Sequence, residues 1–310
     1  MHAHDHARLV ASGRFPAPAD AAAPGHLSVL YRGRLSSCNY DCSYCPFAKA
    51  YDSRSALRRD AEDLQRFVDW AGRQQRPLSI LFTPWGEGLV RRHYRDALTA
   101  LSHLPQLRRV AIQTNLCVGM RWLDAVDTRR LALWCTYHPS QVARGAFLAR
   151  CRELDRRGVR HSVGMVALRE DLDEIEALRA QLPARTPMWL NAFDPRPPDY
   201  YDAAQVERLQ RIDPHFRYNL DPAPSLGAPC LTGDSVISVD GDGNVRRCHF
   251  VAESLGNLYD GSYAAQLRPR ACPNARCDCY IGYAHRPDLP FLRDYADGVL
   301  ERVPATPAGA

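Results

Sequence analysis

The chain has 310 residues, 45% of them hydrophobic and 24% charged, which is the makeup of an ordinary globular protein of one large or two smaller domains. No apolar run approaches the roughly 20 residues of a membrane-spanning helix, and the stretch 1–26 lacks the apolar core of a secretion signal, so it reads as a disordered lead-in to a cytoplasmic protein with no membrane partner. The net charge of +5 is almost all arginine, Lys49 being the only lysine, and no dense basic run or aromatic–basic interleaving marks a nucleic-acid surface.

From residue 27 strands and helices alternate. "HLSVLYRGRL" has strand character and leads into a cysteine-rich loop. "SALRRDAEDLQRFVDWAGRQQ" follows, with Leu57, Ala61, Leu64, Val68 and Ala71 at helical spacing. "PLSILFTP" reads as strand two, and "LVRRHYRDALTALSHL" as a helix with Val90, Tyr94, Ala97, Leu98 and Leu101 on one side. "RRVAIQTN", "LALWCTYH", "VRHSVGMVAL" and "MWLNAF" supply strands three to six, with helices expected near 119–129, 140–157, 171–182 and 202–211. Six such units in order predict an α/β fold with a parallel sheet and helices outside it, curled by right-handed crossovers. Six fall short of the eight that close a barrel, so a partial (β/α)6 barrel is expected over about 27–212. Ligands of such sheets sit at the carboxyl ends of the strands.

After 212 the pattern changes to a Pro-rich irregular stretch. "DSVISVDGDGNVRRCHF" reads as a hairpin, and "CPNARCDCYIGY" closes a small module with too few apolar residues for its own core. "DGDGN" is not a calcium loop, because Val245 and Val251 stand where the required Gly and Glu would be. The expected division is 1–26 lead-in, 27–227 barrel, 228–283 cysteine module and 284–310 C-terminal tail.

Eleven cysteines without a secretion signal point to metal or cluster ligation before disulfides. Cys38, Cys42 and Cys45 form one group, spaced C-x3-C-x2-C, and Cys230, Cys248, Cys272, Cys277 and Cys279 form another. Cys151 lies on the helical stripe Phe147, Leu148, Cys151, Leu154, and Cys135 lies in the run "LALWC", so both are assigned to the core; Cys117 has no assignment. Structural zinc sites want four ligands, commonly in two couples. Three thiolates on a [4Fe–4S] cluster leave one iron open to a small molecule. A zinc site remains the alternative for both groups.

C-x3-C-x-aromatic-C, with Tyr44 as the aromatic, resembles the motif of the radical S-adenosylmethionine (SAM) superfamily, and it follows strand one as it does there. "TPWGEG" resembles the family's Gly-Gly-Glu motif with Trp85 in place of the first Gly, which implies that Gly86 and Glu87 meet the SAM amino group. "TNL" resembles the family's "TNG". "TYHPS", with Thr136 and His138, lies where the family contacts the ribose, and "VGMVALRE" resembles its adenine-side strand, with Gly164. The five late cysteines, the hairpin and "SLGNL" resemble a twitch module, the shorter relative of the SPASM extension, which implies an auxiliary [4Fe–4S] cluster. The closing C-x4-C-x-C departs from the usual spacing; with four thiolates to a cluster, either one of the five is spare or the loop pattern differs from the family's.

The resemblance implies an enzyme that takes an electron from a reductant such as flavodoxin or ferredoxin. It then cleaves SAM to a 5′-deoxyadenosyl radical and removes hydrogen from a small-molecule or peptide substrate, in keeping with natural-product biosynthesis. His138, Asn191 and Asp194, at or near carboxyl ends of strands, are the candidates to face that substrate. A non-catalytic iron–sulfur or zinc protein is the alternative, and the "WGE" turn argues against it, since an electron carrier has no use for a carboxylate facing SAM.

Overall fold

A computed structural model describes residues 25–304 apart from 46, 48, 49, 195 and 280. The lead-in therefore lies outside the described residues up to 24. The six expected strands form in order: β1 (Leu27–Arg32), β2 (Leu78–Phe82), β3 (Leu107–Thr114), β4 (Leu131–Thr136), β5 (Arg160–Ala167) and β6 (Met188–Ala192). Each pairs in parallel with the next, and helices α1 (Arg54–Gly72), α2 (Arg92–Ser102), α3 (Arg144–Arg156), α4 (Leu172–Gln181) and α5 (Ala203–Ile212) intervene or follow. Alternation along each strand makes two faces. Val29, Tyr31, Ile80, Phe82, Ile112, Leu133 and Met165 pack outward in one core, whereas Leu30, Leu81, Ala111, Trp134 and Trp189 belong to a second core on the inner face.

Local chemistry sets the helix ends. Ser53 caps α1 by accepting the Ala56 N–H, and Asp202 with Gln205 forms a capping box on α5. The buried stripe of α1 runs through Asp60, Asp63, Leu64, Phe67, Val68 and Ala71, so it is turned from the expected one and carries two carboxylates. The helix expected near 119–129 is a 3₁₀ segment, Met120–Ala125. Its buried residues Met120 and Leu123, and Val126 just after it, recur every three positions, which matches the tighter 3₁₀ repeat.

The late hairpin forms as β8 (Val236–Asp240) and β9 (Asn244–Arg246), preceded by the two-residue strand β7 (Pro229–Cys230) and followed by β10 (Ser254–Asn257) and β11 (Arg270–Ala271). It does not stand apart. β8 pairs in parallel with β1, giving one open sheet in the order β10-β9-β8-β1-β2-β3-β4-β5-β6. Asp240 caps the turn by accepting from the Asp242 and Asn244 amides at 3.0 Å.

The expected C-terminal tail is, through residue 304, part of the fold. Phe291, Leu292, Tyr295, Val299 and Leu300 fill the inner core. Glu301, fully buried, pairs with Arg109 and Arg160 at 3.3 Å each. The Arg302 guanidinium lies 4.4 Å from the Trp134 ring centroid and 5.4 Å from that of Trp189. The inner face of an open barrel is apolar and needs a cover; this segment supplies it in the amino-terminal half, leaving the carboxyl ends of the strands to the loops.

Candidate functional site

The cysteine loop leaves the carboxyl end of β1 and is fixed before its first cysteine. Asp60 of α1 accepts from the Arg34 and Leu35 amides at 2.8 and 3.1 Å and pairs with His93 at 2.9 Å. Asp52 accepts from both the amide and the hydroxyl of Ser36 (3.0 and 2.7 Å) and of Ser37 (2.8 and 2.7 Å). Burial pushes the Asp52 carboxyl up, but the donors of Ser37 and Ser36 outweigh it and hold the group below its ordinary value. The turn after β2 is tied to the same segment: Gly86 N–H donates to Leu35 O at 3.4 Å and Glu87 N–H to Ser37 O at 3.2 Å. A Cβ at Gly86 would sit 1.9 Å from the Ser37 carbonyl oxygen, so only glycine fits.

The loop carries Cys38, Cys42 and Cys45 and sets Cys42 and Tyr44 against His138, so that Tyr44 and His138, both predicted residues, lie beside the cysteines. Cys38 Sγ accepts the Tyr40 N–H at 3.4 Å, and Cys42 Sγ lies 3.4 Å from His138 Nδ1. The Tyr44 hydroxyl is 2.8 Å from that same nitrogen, with the two rings stacked at 17°. Burial lowers His138 to about 4, so the imidazole is neutral at pH 7. Burial also raises the Cys38 thiol. Cys117, unassigned from sequence, sits where β3 ends; its amide donates to Asn115 Oδ1 at 3.1 Å, and Asn115 Nδ2 donates to Asn39 Oδ1 at 3.0 Å beside Cys38.

Glu87 is held within the protein by three donors. It is buried, Oε1 accepts from Leu89 N (2.9 Å) and Thr114 Oγ1 (2.8 Å), and Oε2 accepts from Asn115 N (2.6 Å). A carboxylate has about four acceptor positions, so three are already spent tying the β2 turn to the end of β3. Burial raises its pKa against these donors.

Gly164 packs directly against Trp189: an added Cβ would meet the indole at 2.0 Å, so only glycine fits there. Thr136 lies opposite Gly164 in the sheet register. Asn191 is on the inner face of β6, its side-chain oxygen buried with no partner among the described residues, and Asp194 is exposed beyond that strand. Of the three candidates to face substrate, His138 alone has a side-chain contact with the cysteine loop among the described residues.

Cys230, Cys248, Cys272, Cys277 and Cys279 line one pocket, although they come from segments up to 49 residues apart (279 − 230). Two buried arginines share it. Arg247 donates to Thr232 O, Ala271 O and Arg270 O at 3.3, 2.8 and 3.1 Å, and Arg286 donates to Ala223 O at 3.2 Å and pairs with Asp288. Burial pushes Cys248 up to about 11 and Cys277 up to about 12. Among the described residues no three Cys, His, Asp or Glu side chains converge as tightly as a single metal ion requires. The remaining cysteines behave as assigned: Cys135 and Cys151 are buried, and none of the eleven forms a disulfide.

Solved structures with the same architecture include native anSMEcpe with bound AdoMet, at 13% identity and a TM-score of 0.51, covering 78% of this chain and 83% of that one. Streptococcus suis SuiB matches at 13% identity and a TM-score of 0.51, over 84% of this chain and 70% of its own. The chain shares the fold of these two structures. No protein-family model matches the chain, and no curated protein matches it. Within that fold, sequence reading missed the clamps Asp52 and Asp60, the inner-face Arg32 and the buried pair Glu301 and Arg302. A signal existed for three of them: Asp60 falls on the buried face of an amphipathic helix, and Glu301 and Arg302 sit between the apolar Val299, Leu300 and Val303 of a supposed tail. No described helix is long and apolar enough to cross a membrane.

Proposed function

We propose that this chain is a radical SAM enzyme, with 27–227 as the catalytic barrel and 228–283 as a twitch-like auxiliary module. The observation that carries the reading is the placement of Cys38, Cys42 and Cys45: three thiols on one loop at the carboxyl end of β1, held against the 85–87 turn and His138, in a fold shared with AdoMet-bound anSMEcpe. Three thiols fit a [4Fe–4S] cluster with one open iron, and they bind as thiolates, so loading releases their protons. A cluster bound there supplies the electron that splits SAM into methionine and a 5′-deoxyadenosyl radical.

The chain's own residues position the reactants. Asp52 and Asp60 hold the cysteine loop rigid. Glu87 keeps the 85–87 turn in place and has about one acceptor position left for the SAM ammonium. Tyr44 and neutral His138 form a wall against Cys42. In the second pocket, four of the five late thiolates saturate an auxiliary cluster, and the buried Arg247 and Arg286 offset its negative charge. The substrate is a small molecule or a peptide; one neighbour of the same fold, anSMEcpe, was solved with a bound Cp18Cys peptide. The natural setting proposed is natural-product biosynthesis, with flavodoxin or ferredoxin as electron donor.

The test is anaerobic reconstitution with iron and sulfide, then SAM and a strong reductant. Formation of 5′-deoxyadenosine supports the reading. Retained iron with no 5′-deoxyadenosine would return the chain to the class of non-catalytic iron–sulfur proteins.

A further inference from the structure

Among the described residues, Arg32 is a cation without a carboxylate partner. It ends β1 on the inner face, the same side as Leu30, at the rim that carries the cysteine loop. Its Nε donates to Thr83 O at 3.0 Å, and its terminal amino groups have no hydrogen-bond or carboxylate partner among the described residues. Its surroundings connect both cysteine groups. Thr83 Oγ1 is 3.2 Å from His249 Nε2, the residue after Cys248. Burial costs the guanidinium hydration, and buried charges are normally paired.

The residue that departs from the family's glycine motif is beside it. Trp85 is 50% exposed, and the Arg32 guanidinium lies 5.9 Å from its ring centroid. Phe47, 54% exposed, stacks on the same indole at 6.3 Å and 18°. A cation whose terminal amino groups are free, next to a half-exposed aromatic pair, matches a ligand with a carboxylate at one end and an apolar body at the other. Guanidinium and carboxylate pair in a bidentate fork, and a half-exposed aromatic face gains by being covered.

We propose that Arg32 anchors the carboxylate of the substrate, whose apolar part rests against Trp85 and Phe47, so that the substrate class is an aromatic or aliphatic carboxylic acid, a peptide C-terminus included. This rests on the reading of the barrel as a catalytic site, but its test does not need turnover. The reconstituted protein is titrated by calorimetry with 3-phenylpropionate and with 3-phenylpropionamide, which share their shape while only the first carries a negative charge. The acid is expected to bind at least about tenfold more tightly than the amide, the scale of one charge-assisted hydrogen-bonded pair. Arg32→Gln should abolish that preference and Arg32→Lys should restore part of it.

Saturating SAM should leave acid binding in place. If SAM displaces the acid, Arg32 serves the carboxylate of SAM itself and the proposal fails. It fails equally if the wild type shows no preference for the acid, in which case Arg32 belongs to the late cysteine site, or if Arg32→Gln keeps the preference. The wild-type comparisons decide even where the variant does not fold. Absence of 5′-deoxyadenosine from SAM would count against the enzyme reading and leave these titrations unaffected.

Discussion

The two cysteine groups reach their places by opposite routes. Cys38, Cys42 and Cys45 lie within eight positions of one loop, and the protein needs only to hold that loop, through Asp52, Asp60 and the 85–87 turn. Cys230, Cys248, Cys272, Cys277 and Cys279 line one pocket only because β8 joins β1 and because Arg247 and Arg286 tie 223, 232 and 270–271 around them. The first site depends on local hydrogen bonds, the second on tertiary structure. Damage to one should therefore stay local, whereas damage to the other should spread into the sheet.

The largest contrast should come from Arg247→Ala. It removes a buried cation and strands three carbonyl oxygens, a loss on the order of 3 kcal/mol or more. Because β8 is part of the barrel sheet, the whole chain should melt lower, with proteolysis appearing across 228–279 and iron lost from the late site first. A variant that loses late-site iron with an unchanged melting temperature would break the comparison.

Asp52→Ala should cost about 2 kcal/mol and act locally, since it frees the Ser36 and Ser37 donors at the partly exposed mouth of the first loop. The melting temperature should shift by a few degrees while iron at the first site becomes labile to chelators. The carboxyl is held below its ordinary value, so its contribution is present above that value and is lost as pH falls through the lower folded value. Loop lability to chelators should rise only in that acid window.

Glu87→Gln sharpens the comparison further. The amide keeps the shape but turns an NH2 towards one of the donors Leu89, Thr114 and Asn115, so a destabilisation of about 1–2 kcal/mol is expected together with weaker SAM binding. Unchanged stability, measured by denaturant unfolding, would show that the three-donor cradle is not what holds the turn.

The smallest expected effect is a pH slope. Burial lowers His285, which lies beside the late site, to about 4. A histidine held neutral in the fold takes up its proton on unfolding, so stability falls as pH drops from about 6.5 towards 4. His285→Phe should flatten that slope, read from urea midpoints across the range.

What could be read from sequence follows the same division. The six strands and most helices were legible because their apolar periods of 2 and 3.6 are strong, and Tyr44 and the first cysteines because ligand spacing is a local property. The cap on the inner face was not legible: Phe291, Tyr295 and Leu300 are apolar without a clean period, and only the exposed inner strand faces give them a reason to be buried. Gly164 and Glu87 were found as special positions, but packing against Trp189 and the three-donor cradle are tertiary facts that no motif carries. Trp85, legible as a departure from a motif, gained a meaning only once Arg32 and Phe47 were placed beside it.

The most direct test of two independent cysteine sites is iron content and absorbance of the variant with Cys38, Cys42 and Cys45 all changed to Ala, reconstituted beside the wild type. Two clusters predict about eight irons per chain in the wild type and about four in the variant, whose spectrum should persist and no longer respond to SAM, because four thiolates leave no iron open. A variant that holds zinc and no iron, or that loses all iron with its fold intact, would contradict the account.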